Sequence, residues 1–229
     1  LEIRAIAKYI EDGMTILDIG CGNGETLLEL LKLFPKCIMA GMDYSAEMIA
    51  AARDQVVKGY RPAYYSGDVL NPLQLGDIIT LAGPFDLVYT KRCLINLQTW
   101  AEQKQAIKNI CSMLKSGGLY VMCEASQDGL NWINELRGMV ELAAIERPWH
   151  NVYIQDKDIE WLEVEGARLE RIKEFSGLYY LASRVFNAYL SAQQGREPDY
   201  NAPINRLALK VPNMGLRGQS RIWLWRKEG

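Results

Sequence analysis

The chain of 229 residues is long enough to form one sizeable domain with a well-filled core. Hydrophobic residues make up 49% and charged residues 24% of the sequence, and no apolar run approaches the roughly 18 residues that a membrane-spanning helix needs. The formal net charge of -2 gives no overall attraction to nucleic acid. We therefore expect a soluble protein without a membrane partner, for which nucleic acid is an unfavoured partner.

The first half of the sequence alternates runs of strand length with runs of helical spacing. Ile3, Ile6 and Ile10 share one helical face, and Pro35 ends a later helix. Such alternation, with apolar strands, predicts a parallel sheet covered by helices on both faces. We predict helices at residues 3–10, 24–34, 45–57 and 99–114, and strands at residues 14–19, 37–42, 63–66, 85–90 and 119–124.

This alternation stops after Glu124. Apolar residues at helical spacing predict a long helix over residues 128–147. A segment rich in Pro, Asn and Gly covers 195–218, where we predict a loop. From Arg196 to the end, seven bases stand against three acids, so the tail is locally basic. We predict further helices at residues 156–165 and 178–192, and strands at residues 169–175 and 221–226.

The cysteine and histidine content bears on location and metal binding. Five cysteines, an odd number without CxxC spacing, indicate buried thiols in a reducing cytoplasm. His150 is the single histidine, and no paired ligands stand at metal spacing, so we expect no metal site. Because the sequence begins at Leu1 rather than at a methionine, we expect a trimmed or disordered start.

The stretch ILDIGCGNG at 16–24 leads an apolar run into three alternating glycines before a helix. Glycine lets the backbone approach a ligand closely and turn from strand to helix. The GxGxG spacing differs from the GxGxxG of dinucleotide-binding oxidoreductases. A cofactor without phosphate needs close backbone contact and an acid to meet its ammonium, and the loop amides and Asp18 fit that case.

Five segments, in order, resemble the class I S-adenosylmethionine-dependent methyltransferases. They are ILDIGCGNG at 16–24, GMDYSAEMI at 41–49, GDV at 67–69, FDLVYTKRCLINL at 85–97 and MLKSGGLYVMCEA at 113–125. The resemblance covers roughly residues 14–125. It implies an α/β fold with a doubly wound, mostly parallel seven-stranded sheet, Rossmann-like in type. It also implies S-adenosyl-L-methionine as cofactor, with S-adenosyl-L-homocysteine as product.

The resemblance also implies which residues hold the cofactor. The loop residues Gly20, Cys21 and Gly22 would lie against the methionine moiety, with Asp18 orienting the loop or the amino group. Asp43 would accept hydrogen bonds from the two ribose hydroxyls, to which a carboxylate is suited. Further implied contacts follow the later strands: Tyr44, Met48, Asp68, Val69, Thr90 and Arg92. A turn or cap role is the alternative for both Asp43 and Asp68. Arg92 could pair with the methionine carboxylate or with an acceptor anion, and a solvated surface position is its alternative.

Beyond residue 125, ERPWHNVYI at 146–154 and FSGLYYLASRVFNAYL at 175–190 look similar to bacterial methyltransferases of small-molecule and surface-saccharide tailoring. The similarity implies a single domain, 1–229, with a cofactor-binding half at 1–125 and a helical acceptor cap at 126–218.

Two residues are candidates for catalysis. His150 is the candidate base, because an imidazole exchanges protons near neutral pH, and Glu124 is the alternative base or an acceptor ligand. Surface, capping or structural roles are the alternatives for both. The candidate acceptor-binding residues are Trp149, Tyr179, Tyr180, Arg184, Arg206 and Arg217. Core packing is the alternative for the aromatic residues, and a solvated surface is the alternative for the arginines.

The function predicted from these residues is methyl transfer to an oxygen of a small polar acceptor: a saccharide, a nucleotide-linked intermediate or a phosphorylated metabolite. The basic tail favours an anionic acceptor. The alternatives are N-methylation of a small amine, a cofactor-binding regulatory module without turnover, and RNA methylation, for which the tail charge is the sole support. The sequence leaves the oligomeric state open.

Overall fold

One seven-stranded sheet forms the centre of the molecule in the computed structural model, which describes residues 1–55 and 62–229. Its strand order is β3-β2-β1-β4-β5-β7-β6, with β7 antiparallel to both of its neighbours and the other pairs parallel. The predicted doubly wound, mostly parallel sheet is thus confirmed. The strands are β1 Thr15–Ile19, β2 Ile38–Asp43, β3 Ala63–Ser66, β4 Phe85–Lys91, β5 Leu114–Ala125, β6 Ala167–Glu174 and β7 Ser220–Lys227.

Helices cover the sheet and form the cap. In the first half they are α1 Glu2–Ile6, which continues as a 3-10 turn over Ala7–Tyr9, α2 Glu25–Leu33, α3 Ala46–Arg53, α4 Pro72–Ala82 and α5 Trp100–Ser112, with a 3-10 turn at Leu94–Asn96. In the second half they are α6 Gln127–Met139, α7 Asp156–Glu160, α8 Gly177–Tyr180, a π-helical turn at Leu181–Phe186, α9 Asn187–Ala192 and α10 Pro203–Ala208. Residues 56 and 57 of the predicted helix 45–57 lie outside the described residues.

Two helices are shorter in the structure than predicted. The helix predicted to reach 147 stops at Met139, where the Asn134 side chain binds the backbone of Ile145 through its amide donor and acceptor at 3.0 and 2.8 Å. The chain therefore turns back onto α6. The helix predicted over 156–165 ends at Glu160 before the left-handed Gly166, at φ 64°.

Two helices were not predicted, and one strand is longer than predicted. Helix α4 was not predicted, although Asn71 caps it by accepting from the N–H groups of Leu73 and Gln74 at 3.1 and 3.4 Å. Helix α10 lies within the segment 195–218 that was predicted as a loop. Strand β5 begins at Leu114 rather than at residue 119, because the backbone pairs with β4 as early as Phe85.

Side chains alternate between the two faces of the sheet, and each face has its own core. On one face Leu17 and Trp223 pack with residues of α5 such as Ile107, whereas on the other face Ile16 and Leu224 pack with residues of α1 and α2. Both faces are thereby filled. The carboxyl ends of the parallel strands are left as the edge at which loops can form a site.

An ion-pair cluster joins the cap to the end of the sheet. The guanidinium of Arg221, at the start of β7 and 2% exposed, pairs with Asp156 of α7 and, at 2.9 Å, with Glu174 of β6. Both carboxylates belong to the range 126–218 that was predicted as the cap. None of the helices that the structure describes is long and apolar enough to cross a membrane.

Candidate active site

The glycine loop after β1 is bound to the neighbouring strand. The N–H groups of Gly20 and Cys21 both donate to the carbonyl of Met42 in β2, at 2.8 and 3.0 Å. Gly20 has a φ of 74°, and a Cβ at this position would lie 2.4 Å from the Sγ of Cys93. Only glycine fits both the left-handed backbone and this close approach.

Asp43, at the end of β2, joins the two loops that follow β1 and β2. Its Oδ2 accepts from the Gly22 N–H at 2.7 Å, and its Oδ1 accepts from the Ser45 N–H at 2.9 Å. Each carboxylate oxygen has two lone pairs, so each can accept one further hydrogen bond. The carboxylate can therefore hold the loop and still receive ribose hydroxyls, which stays a prediction.

A cavity of about 630 Å³, here called the first cavity, opens at the carboxyl ends of β1 and β2. Its wall combines apolar side chains with the Asp43 and Asp68 carboxyl groups. Its volume lies within the range of small-molecule sites. Six of the residues predicted to hold the cofactor line it: Gly20, Asp43, Tyr44, Asp68, Val69 and Arg92.

A second cavity of about 490 Å³ lies beside the first, between the sheet edge and the cap. The two cavities share three lining residues, Gly20, Arg92 and Asn96. Predicted residues that line the second cavity are Asp18, Gly20, Cys21, Gly22, Arg92, His150, Tyr180 and Arg184. The glycine loop thus borders both cavities.

The remaining predicted residues line neither cavity. Thr90 is fully buried, and its hydroxyl pairs with that of Tyr120 at 3.1 Å. Trp149 is 93% exposed. Glu124 is buried as well. The other four are partly or largely exposed: Met48, Tyr179, Arg206 and Arg217.

Asp18 lies beneath the glycine loop with almost no exposed surface. Burial raises the pKa of its carboxyl group to about 7, and the hydrogen bond that its Oδ2 accepts from the Tyr89 hydroxyl at 2.8 Å opposes that rise. One carboxyl oxygen remains without this bond. An ammonium group that reached it would favour the ionised form of Asp18.

Glu124, at the end of β5, is 0% exposed and binds the turn after β4. Its Oε1 accepts from the N–H groups of Cys93 and Leu94 at 3.1 and 3.2 Å, and its Oε2 accepts from Ile95 at 3.4 Å. Burial raises the pKa of this carboxyl group to about 7 against the opposing effect of these hydrogen bonds. Glu124 therefore positions Ile95, which lines the second cavity; contact with an acceptor stays a prediction.

The cap brings further residues to the second cavity. The exposed His150 stands edge-on to Trp149, with ring centroids 5.4 Å apart. The Arg184 guanidinium lies over the Tyr180 ring, 5.1 Å from its centroid. Tyr180 also bonds the hydroxyl of Ser220 at 3.1 Å.

Several cavity residues were not among the predicted site residues: Lys91, Asn96, Asn151, Gln219 and Ser220. Lys91 directly precedes Arg92 at the end of β4, so its position at the ligand edge was the available signal. Asn151 donates to the Asn96 side chain at 2.9 Å, which fixes the cap against the turn after β4. No local pattern marks the others, because they meet only in the folded chain.

Three cations, Lys91, Arg92 and Arg184, line the second cavity together with the carboxyl groups of Asp18 and Glu25. Among the residues that the structure describes, no carboxylate lies within ion-pair distance of Lys91 or Arg184, whereas Arg92 pairs with Glu2 at 3.6 Å. Across residues 1–55 and 62–229, no three His, Cys, Asp or Glu side chains form a metal-ligand group. The cavity is therefore suited to an anionic ligand.

Comparison with protein families gives a match over residues 10–166 to a family described as a methyltransferase domain. A curated relative, the trans-aconitate 2-methyltransferase of Deinococcus radiodurans, is 32% identical over 114 residues, covering 49% of this chain and 39% of the relative. The carboxy-S-adenosyl-L-methionine synthase of Campylobacter fetus is 30% identical over 123 residues, covering 52% and 47%. The aligned part of the chain thus spans less than half the length of these relatives.

Solved structures share the fold over the whole chain. A magnesium protoporphyrin IX methyltransferase from Synechocystis superposes with a TM-score of 0.58 at 15% identity, covering 99% of this chain and 82% of that one. A plantazolicin methyltransferase gives a TM-score of 0.58 at 15% identity, covering 100% and 82%. At such low identity these structures support the fold alone.

Proposed function

Because the chain belongs to this family of methyltransferase domains, we propose that it transfers a methyl group to an oxygen of a small polar acceptor. Family membership confirms the resemblance to class I S-adenosylmethionine-dependent methyltransferases, and S-adenosyl-L-methionine is the cofactor. The acceptor, the methylated atom and the place of the reaction are parts of the proposal.

The observation that carries this proposal is the meeting of the two cavities at Gly20, Arg92 and Asn96. A cofactor whose nucleoside lies in the first cavity, against Asp43 and Val69, would present its methionine end to the second. The first cavity fits the nucleoside, because it combines an apolar wall with carboxylates that can accept from hydroxyl and amino groups. The second cavity is then the place for the acceptor.

The sulfonium group of the cofactor supplies an electrophilic methyl group and a neutral leaving group. The chain must mainly hold the acceptor in line and keep water out, and such positioning supplies much of the rate enhancement. The glycine loop and Asp18 set one boundary of the second cavity, and the cap residues His150 and Tyr180 set the other. Glu124 holds the turn that carries Ile95 between them.

An anionic acceptor agrees best with Lys91 and Arg184, which have no carboxylate partner within residues 1–55 and 62–229. A saccharide, a nucleotide-linked intermediate or a phosphorylated metabolite would meet this requirement. The Deinococcus radiodurans relative is named for methylation of trans-aconitate, which also agrees with an anionic acceptor. An ammonium-bearing acceptor would be repelled, so N-methylation of an amine is the weaker alternative. We place the reaction in the cytoplasm, since all five cysteines are free.

The need for a base depends on the acceptor oxygen. A hydroxyl must lose its proton during methylation, whereas a carboxylate or phosphate oxygen is already ionised. His150 is the proposed base for a hydroxyl acceptor, because its imidazole lines the acceptor cavity. His150→Asn should then lower kcat at neutral pH with little change in KM. Turnover close to that of the wild type would remove His150 from this role.

The proposal is tested first by calorimetric titration with S-adenosyl-L-homocysteine. Saturable binding, weakened by Asp43→Ala, is expected. Absence of binding would reject the enzyme function. A radiolabelled methyl-transfer screen over nucleotide sugars, sugar phosphates and carboxylic acids then separates an enzyme from a cofactor-binding regulatory module, which would bind the product without turning over any acceptor.

A further inference from the structure

Glu2, which lies outside the second cavity, determines which hydroxyl donates in the hydrogen bond between Ser220 and Tyr180 in the cavity wall. The Ser220 hydroxyl donates to Oε1 of Glu2 at 3.2 Å, and the Glu2 carboxylate is paired with Arg92. A serine hydroxyl has a single proton. The hydroxyl of Tyr180, 3.1 Å from the same Ser220 oxygen, must therefore be the donor of that pair.

This direction determines what Tyr180 can offer to a ligand. Its proton is committed to Ser220, so its phenolic oxygen is left with lone pairs alone. Tyr180 lines the second cavity and is held beneath the Arg184 guanidinium. It is thus a hydrogen-bond acceptor toward the cavity, not a donor.

Gln219, the next residue of the same wall, has the same property. Its side chain is 5% exposed, and its Nε2 donates to the Tyr153 hydroxyl at 3.2 Å. Its Oε1 is buried and has no hydrogen-bond donor among the residues that the structure describes. The backbone is anchored, because the Gln219 carbonyl accepts from the Ser126 N–H at 2.6 Å. A buried oxygen without a donor is unfavourable unless a ligand supplies one.

The residues of the second cavity are therefore complementary to a ligand that carries both an oxyanion and a hydrogen-bond donor. Lys91 and Arg184 lack a carboxylate partner among the described residues, so they can bind an oxyanion. The side-chain oxygens of Tyr180 and Gln219 can accept a hydrogen bond from a donor on the ligand. Tyr153 accepts from Gln219 and retains its own proton, so it can donate to a group that also accepts. A hydroxyl both donates and accepts, which matches this pair.

We propose, on the basis of the function proposed above, that the acceptor is a hydroxylated oxyanion. Its carboxylate or phosphate group lies against Lys91 and Arg184, and a hydroxyl group donates to the wall formed by Tyr180 and Gln219. A site that binds a substrate hydroxyl discriminates strongly against the analogue without it, because its own polar groups are then left unpaired.

Calorimetric titration of the protein saturated with S-adenosyl-L-homocysteine tests the ligand class. Matched pairs differ by one hydroxyl: citrate with tricarballylate, malate with succinate, and glucose 6-phosphate with 2-deoxyglucose 6-phosphate. We expect the hydroxylated member of at least one pair to bind about tenfold more tightly than its partner. Comparing the affinities of the first two pairs with those of the third shows whether the anion is a carboxylate or a phosphate. Glucose, which has no anionic group, should not bind.

Equal affinities within every pair, binding of glucose, or no binding of any hydroxylated anion would overturn the inference. Each of these outcomes leaves the proposed function intact, because S-adenosyl-L-homocysteine is already bound. Failure of S-adenosyl-L-homocysteine to bind is a separate result, which rejects the proposed function.

Two variants locate the discrimination. Gln219→Leu should weaken binding of the hydroxylated member about tenfold and leave the deoxy partner unchanged. Tyr180→Phe retains the ring beneath Arg184 and removes only the hydroxyl, so it should also weaken binding of the hydroxylated member. It keeps the inference testable if Gln219→Leu does not fold. Gln194→Leu, at an exposed position outside both cavities, is the matched control. Undiminished discrimination in a folded variant of either wall residue would contradict the inference.

Discussion

The N–H of Gly22 donates to the Asp43 carboxylate at 2.7 Å, so one side chain at the end of β2 fixes the glycine loop that follows β1. The other oxygen of the same carboxylate accepts from Ser45 at 2.9 Å and caps the approach to α3. Asp43 therefore joins the loop that follows β1 to the loop that follows β2. Its loss should affect cofactor binding twice, through the loop and through the ribose hydroxyls.

Asp43→Ala should lower the affinity for S-adenosyl-L-homocysteine by about 10- to 100-fold, because hydrogen bonds to a charged group contribute roughly 1.5–3 kcal/mol. Asp43→Asn retains one carbonyl oxygen and should fall between Ala and the wild type. Calorimetry measures both. Asp12→Asn, a surface carboxylate paired with Lys36, is the control and should bind normally; equal affinities for all four proteins would contradict the assignment of Asp43.

Gly20→Ala should destabilise the protein more than Gly13→Ala. Both glycines have a positive φ, 74° and 87°, so both variants carry the strain of alanine in the left-handed region, about 1 kcal/mol. At Gly20 the new methyl group would also lie 2.4 Å from Cys93 Sγ, whereas nothing lies within 4 Å at Gly13. Urea unfolding gives both free energies. Equal losses would mean that the Cys93 side chain moves aside at no cost.

The buried Glu124 should make stability depend on pH. Its pKa is raised from 4.5 to about 7 in the folded state, so the folded protein binds more protons than the unfolded chain between these values. The free energy of unfolding should therefore fall as pH rises from about 4.5 to 7. Asp18 contributes with the same sign, since its pKa is also raised by burial.

Comparison with Glu124→Gln isolates the contribution of Glu124. The Gln variant should show a shallower decline of unfolding free energy over this pH range, whatever its absolute stability, because one of the two titrating groups is gone. Urea titrations at intervals of pH measure both slopes. Parallel curves for the two proteins would contradict a raised pKa at Glu124.

Arg221→Met should cost up to about 3–5 kcal/mol of unfolding free energy, because it removes a buried guanidinium and leaves two partly buried carboxylates without their cation. Arg221 is 2% exposed and is the partner of both Asp156 and Glu174. Adding Asp156→Asn and Glu174→Gln to Arg221→Met should recover part of the loss. Chemical denaturation measures this coupling, and strictly additive losses would show that the three side chains do not act as a unit.

The sheet was predictable where apolar runs are short and bounded by turn residues. Strands β1, β2 and β4 are largely buried, and apolar residues predominate at their centres. Helix α4 was missed because its solvent face carries Leu73 and Leu81, both largely exposed, which hides the 3.6-residue period. The early end of α6 depends on Asn134 and Ile145, whose contact forms only after the chain turns.

The glycine loop could be recognised in the sequence, because a strand, a tight turn and a helix start lie there within about ten residues of one another. Asp43 could be recognised because its segment resembles that of the family. The way in which the residues of the second cavity come together could not be predicted. Lys91, His150, Tyr180 and Gln219 come from four separate segments, and their distances depend on how the cap packs on the sheet.

The sequence by itself therefore determined the family, the fold class and the cofactor. These follow from motifs whose residues lie close together along the chain, so their spacing in the sequence determines their arrangement in space. Only the tertiary structure decided that Glu124 holds a turn, that Ser220 directs the Tyr180 proton, and that Lys91 and Arg184 stand without carboxylate partners among the described residues. Burial and pairing are properties of neighbours in space. A linear pattern does not contain them until packing brings distant side chains together.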